Sequence, residues 1–266
     1  MTYSDWLGST GVDIVCFVAS VLALAAYHLY LRHKLKQDPT YTVQAVNTIA
    51  RTAWVENVMA GNKDILAVQT LRNSTMAATF LASTAVLLVM GTLTLSGQGT
   101  QLETSWHALN KVGAVHSEIW IVKLLLLLLD FFVAFFSFAS AIRLFNHVGY
   151  MINVPLSLAH KAISPQHVAI HLNRAGGHYS IGMRAFYFAV PLVFWLFGPL
   201  FMLAATLVLL VVLYRHDRAP SELVDDYRYF TDTEKMRVNA MRQAEELEQL
   251  FEADARAIEA AGEAKT

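Results

Sequence analysis

Four long apolar runs, separated by stretches in which polar positions dominate, set the plan of this chain. A helix needs about 20 predominantly apolar residues to cross roughly 30 Å of hydrocarbon. Residues 11–31, 74–95, 119–142 and 186–214 each reach that length. Only helices and closed barrels satisfy their backbone groups in lipid, and runs this long without alternation are helical. They predict an all-α integral membrane four-helix bundle. No Lys or Arg precedes the first run, whereas a cleaved signal peptide carries a basic leader, so this run is read as a retained anchor. The second carries Ser83, Thr84, Thr92 and Thr94, small hydroxyl residues suited to helix–helix contact. The fourth holds Pro191 and Gly198-Pro199, which predict a kink.

The polar stretches have patterns of their own. Val43, Val46, Ala50, Ala53 and Trp54 recur at helical spacing and predict an amphipathic helix lying on the membrane surface. Asn62 has the chemistry of an N-cap and Asp64 suits a first turn, so the second long helix is expected to start near Lys63, two or three turns outside the bilayer. Gly97 and Gly99 mark a turn. Pro155, Pro165 and Gly176-Gly177 divide residues 143–185 into two or three expected surface helices. From Thr231, with Glu234 completing a capping box, the pattern is again helical, and the chain after Tyr214 has thirteen acidic and eight basic residues. The chain thus divides into a membrane domain, residues 1–217, and an acidic C-terminal helical tail, residues 218–266.

Composition fits the bilayer as solvent, with 55% apolar and 15% charged residues and a net charge of −1. Nothing basic and aromatic enough for nucleic acid is present. Cys16 is the only cysteine and lies in an apolar run, which excludes an intrachain disulfide and a CxxC centre. Lys and Arg number six in residues 32–73, four in 143–185 and one in 96–118. With four crossings, the positive-inside rule places both the N-terminus and the C-terminus outside, in the plasma membrane of the cell. A hairpin folded at Gly198-Pro199 puts the tail inside instead.

Candidate chemistry begins with the charges inside the third run, Lys123 and Asp130. Intramembrane charges are costly and mark where a functional hypothesis starts. Seven residues separate them, so they share a face about 10.5 Å apart along the axis. Lys123 leans toward the nearer interface, where Asp13 lies at similar depth; an ion pair, a shared pocket or snorkelling is expected. Asp130 lies near the bilayer centre with only the hydroxyls of Ser20, Ser83, Thr84 and Thr206 at its depth. An uncompensated charge is the costlier state there, so Asp130 is expected to hold its proton. That serves a structural interhelical hydrogen bond as well as proton or cation handling.

Arg72, Asn73, Arg143, Asn146 and Arg184 fall at the ends of the spans and are expected to cluster at the inner headgroup plane, satisfying loop carbonyls or binding lipid phosphate. His160, His167, His171 and His178 are spaced by seven, four and seven, and only His167 and His171 keep a chelating spacing if the helix breaks. His28 and His147 suggest a haem pair only weakly, since neither is deep in the bundle. No metal or other cofactor is expected. Neither a GxSxG elbow, a P-loop nor a carboxylate pair at hydrolase spacing is found, so an enzyme is not expected.

Several strings resemble a known family. They are Leu66 to Asn73 (LAVQTLRN) running into Met76-Ala77-Ala78, Asn146 to Pro155 (NHVGYMINVP), Arg184 with Phe186-Tyr187, and Phe194 to Pro199 (FWLFGP). Over residues 11–217 the chain resembles bacterial and plant membrane proteins catalogued as domain of unknown function 599. The resemblance implies a four-helix membrane protein and supplies no activity. The residues themselves predict a membrane interaction or accessory protein surrounded by lipid, with a homo-oligomer or partner protein held through the C-terminal helix. A small proton- or cation-coupled transporter or oligomeric channel using Asp130 is the alternative, and a metal or haem redox subunit is third.

Overall fold

The computed structural model describes residues 3–61, 63–97, 117–155 and 163–220. Within them the chain forms six helices and no strand: α1 (Tyr3–Gln37), α2 (Val43–Ala60), α3 (Asp64–Gly97), α4 (Ser117–Met151), α5 (Pro165–Phe197) and α6 (Pro199–Asp217). All except α2 are long and apolar enough to cross a membrane, which gives five such helices where four apolar runs were read. The difference lies in residues 186–214, which two helices share. Gly198 adopts φ 147° and ψ 158°, a conformation that side chains with a Cβ rarely enter, and the chain turns back there. Pro199 then opens α6, where a missing backbone N–H costs nothing.

The fifth helix changes where the chain ends up. After α6, Arg218 forms an antiparallel bridge with Thr42, and the Ala219 N–H donates to the Tyr41 carbonyl at 3.1 Å. Arg218 therefore lies beside the start of α2, on the face where α1 ends, opposite the face where α1 begins. The placing of both termini outside assumed four crossings, an even number, where five helices are long and apolar enough to cross. The helical tail expected from Thr231 lies outside the described residues, as do Asn62, most of the turn after Gly97, and His160.

The expected short surface helices between 143 and 185 are also replaced. Helix α4 continues to Met151, and α5 runs unbroken from Pro165, which sits in its first turn behind the cap Ser164. Gly176 and Gly177 stay helical. Helices of 33 to 35 residues are about 50 Å long, well beyond the hydrocarbon thickness. The extra length of α3, α4 and α5 joins α2 in a second layer with its own core, including Val55, Val58, Ala67, Leu71, Val148 and Val168. Helix α2 buries Val46, Val55, Val58 and Met59, and of the stripe expected to face the membrane surface only Val46 is buried. The start of α3 at Asp64 agrees with the expected extension of that helix.

Within the membrane layer, small residues bring helices close. Ala82 and Ala85 of α3 pack with Ala134 and Phe138 of α4 and Ala185 of α5. Helix α1 is placed differently, since it packs mainly along α6 and most of its apolar side chains face outward.

Candidate functional site

Helix α1 meets the rest of the protein through polar side chains. Asp13, Ser20 and Tyr27 are seven residues apart, nearly two turns, so they stack on one face at intervals of about 10.5 Å. Between Gly11 and Gln37 the buried side chains are Asp13, Cys16 and Ser20. Lys123 and Asp130 repeat the same interval on α4, and the two series meet tier by tier.

In the first tier the Lys123 ammonium lies 2.9 Å from Asp13 Oδ1, with both side chains almost fully buried. The Trp195 indole N–H donates to the same oxygen at 2.8 Å. Lys123 also sits 5.3 Å from the Trp195 ring centroid, and Phe17 stacks on that ring at 4.8 Å. Of the arrangements expected for Lys123, the structure shows the ion pair with Asp13. Trp195 was not foreseen, because it stands just before the turn at Gly198 that divides the fourth apolar run.

The second tier is a cavity of about 300 Å³ lined by Ser20 and Val21 of α1, Leu129, Asp130 and Val133 of α4, Pro191 of α5 and Thr206 of α6, among others. Asp130 Oδ2 and Ser20 Oγ are buried here without a hydrogen-bond partner among the described residues. The Thr206 hydroxyl is satisfied by the Met202 carbonyl at 2.8 Å. Val21, Leu129 and Val133 are exposed, so the cavity opens sideways between α1 and α4 toward the lipid. Ser20 and Thr206 thus stand with Asp130 as their depth suggested. Thr84 does not join them, because α3 lines no part of this cavity; its hydroxyl donates to the Phe80 carbonyl one turn back along α3 at 2.9 Å. Ser83 is exposed. The contact face of α3 runs through Ala78, Ala82 and Ala85 against α4, and depth alone does not tell which helices are neighbours.

The third tier ties α1 to α5 and α6. Tyr27 donates to Asp217 Oδ2 at 2.8 Å, and Arg184 reaches Asp217 Oδ1 at 2.8 Å and His28 Nε2 at 3.0 Å. His28 Nδ1 lies 2.8 Å from the Leu24 carbonyl, so with Arg184 donating to Nε2 the proton resides on Nδ1. Both ring nitrogens are engaged, which does not fit an axial haem ligand. Of the residues expected in the inner cluster, Arg184 stands in this tier, Arg72, Arg143 and Asn146 are exposed, and Asn73 lines a separate cleft between α2, α3 and α5. His147 packs edge-on against His171 at 5.1 Å, and His167 Nδ1 lies 3.0 Å from Ser164 Oγ. Among the described residues no three His, Cys, Asp or Glu are grouped to hold a metal ion.

Tyr27 and Asp217 were missed by reasoning from the sequence. The signal for Tyr27 was available in the seven-residue spacing of polar groups through the first apolar run, which picks out one face whatever the helix packs on. A family profile described as "Protein of unknown function, DUF599" matches residues 15–221. No curated protein and no solved structure matches the chain.

Proposed function

The chain belongs to the DUF599 family of proteins of unknown function, and on that footing we propose that it is a membrane interaction protein whose groove between α1 and α4 receives a transmembrane helix of another membrane protein. The observation that carries this reading is the pair of unpartnered buried oxygens, Asp130 Oδ2 and Ser20 Oγ, in a cavity that opens toward lipid. A polar group facing hydrocarbon is costly unless it is hydrogen-bonded, and lipid tails offer no partner. A neighbouring helix with a hydroxyl, amide or indole donor at mid-membrane supplies one, at about 0.6–2 kcal/mol per bond. The exposed Val21, Leu129 and Val133 around the opening provide the apolar contact such a helix needs. The role is one of binding, not catalysis.

The second reading is proton or cation transfer through Asp130, favoured by the polar tiers above and below it on α1. Two substitutions separate the readings. Asp130→Asn keeps a hydrogen-bonding group without an exchangeable carboxyl proton, whereas Asp130→Leu removes both. Association predicts that proteins crosslinked in the membrane through a photoreactive residue at Leu129 persist in Asp130→Asn and disappear in Asp130→Leu. Transfer predicts a proton flux in reconstituted liposomes that both substitutions abolish. An unchanged crosslinking pattern in a folded Asp130→Leu protein sinks the association reading.

The same reading includes a membrane orientation, supported by the distribution of basic residues. Five crossings put residues 32–73, residues 143–185 and the chain after Tyr214 on one face, and these hold 18 of the 20 Lys and Arg. The positive-inside rule makes that face cytoplasmic in a plasma membrane.

A further inference from the structure

The second layer encloses a larger feature, distinct from the groove at Asp130. A cleft of about 790 Å³ lies between α2, α3 and α5, with Phe145 of α4 at its wall. Arg51 of α2 reaches into it. Its Nε donates to Asn173 Oδ1 at 2.8 Å and its Nη2 to Thr48 Oγ1 at 3.4 Å, both neutral acceptors. Among the described residues no carboxylate lies within ion-pair distance of Arg51, and no acidic side chain lines the cleft. The guanidinium rests on the bare backbone of Gly176, where an added Cβ would stand 2.7 Å from both Cζ and Nη1. Partial burial lowers the guanidinium pKa, as holding a cation without a compensating charge does.

We propose that this cleft binds an anionic phospholipid, with the phosphate on Arg51 and an acyl chain along Trp54 and Phe145. Arg presents a planar fork of donors that matches phosphate oxygens, and only two of its five N–H groups are used by the protein. Asn47, Asn73 and Ser74 add polar groups around the same space. Trp54, Leu71, Phe145 and Leu172 make the rest of the lining apolar, which suits an acyl chain and not a free inorganic anion. Depth agrees as well, because the cleft climbs α3 from Thr70 to Ala77 and so straddles Ser74, where the long apolar run of that helix begins. That is where headgroups of a surrounding bilayer lie.

The experiment uses the full chain in nanodiscs of phosphatidylcholine with a minority of phosphatidylglycerol, followed by native mass spectrometry of the released protein. Wild type is expected to retain phosphatidylglycerol over phosphatidylcholine. Arg51→Gln is expected to lower that retention by roughly ten-fold or more. Because Arg51→Gln also disturbs the contact with Asn173, a second variant keeps the packing intact. Asn47 is exposed and precedes Arg51 by four residues on α2, so Asn47→Glu supplies an i,i+4 carboxylate that occupies the guanidinium without disturbing the helix. It is expected to lower retention to a similar degree, with an unchanged thermal midpoint. Equal retention of both lipids, wild-type retention by Asn47→Glu, or binding of inorganic phosphate without any lipid would overturn the proposal.

Discussion

Lys123 and Asp13 are each almost fully buried, and the pair is worth far less than either partner costs when left alone. Removing one member of a buried ion pair typically costs about 3–5 kcal/mol, because the other charge stays desolvated. Lys123→Met is therefore expected to destabilise the protein by about that much in a chemical unfolding titration in detergent. The double variant Asp13→Asn/Lys123→Met is expected to recover most of the loss, since no charge is then stranded. Equal destabilisation by the single and double variants would mean the charges do not interact. This pair was legible in the sequence because two charges in separate apolar runs fell at the same depth. The partners of Asp130 were half legible for the same reason: depth selected Ser20 and Thr206, but only the placing of α3 away from the cavity excluded Ser83 and Thr84.

At the scale of the element, the sequence was most informative where an apolar run was bounded by polar residues on both sides, as for α3 and α4. It misled where proline and glycine served packing. Pro165 begins α5, and Gly176 stays in the helix because the Arg51 guanidinium fills the space that a side chain would take. Gly182 on the same helix is held by closer contact. A Cβ there would lie 2.7 Å from Cε1 and Cζ of Phe138, whose ring is fully buried against Tyr179 and Phe186. The ring has nowhere to move, so Gly182→Ala is expected to cost about 1–3 kcal/mol, the usual range for overpacking a filled core. Gly177→Ala, where no atom lies within 4 Å of the added Cβ, serves as the control. It is expected to be neutral or slightly stabilising by helix propensity, and comparable losses at both positions would show that packing against Phe138 is not the cause. Gly198→Ala acts by another route. Its φ of 147° belongs to a region open almost solely to glycine, so the turn between α5 and α6 should lose about 1–3 kcal/mol without any clash.

For the whole molecule, the number of crossings decides which groups face which compartment, and here the charge distribution and the architecture can be checked against each other. With four crossings, the eight basic residues after Tyr214 stood on the opposite side from the ten in residues 32–73 and 143–185, a conflict in the positive-inside pattern. The five crossings we propose remove it, because the bridge between Arg218 and Thr42 holds the end of α6 beside the start of α2. Single introduced cysteines test this directly, since the native Cys16 is buried in the packing of α1 against Trp195 and Met202 and gives little background. Lys36→Cys and Arg215→Cys replace exposed residues at the ends of α1 and α6, and Lys111→Cys lies between α3 and α4 in the sequence. A membrane-impermeant maleimide is expected to label Lys111→Cys in intact cells, and Lys36→Cys and Arg215→Cys only after permeabilisation. Labelling of Arg215→Cys together with Lys111→Cys would restore the four-crossing arrangement. It would also break the third tier, because Asp217 could not then meet both Tyr27 and Arg184 at the inner end of the bundle.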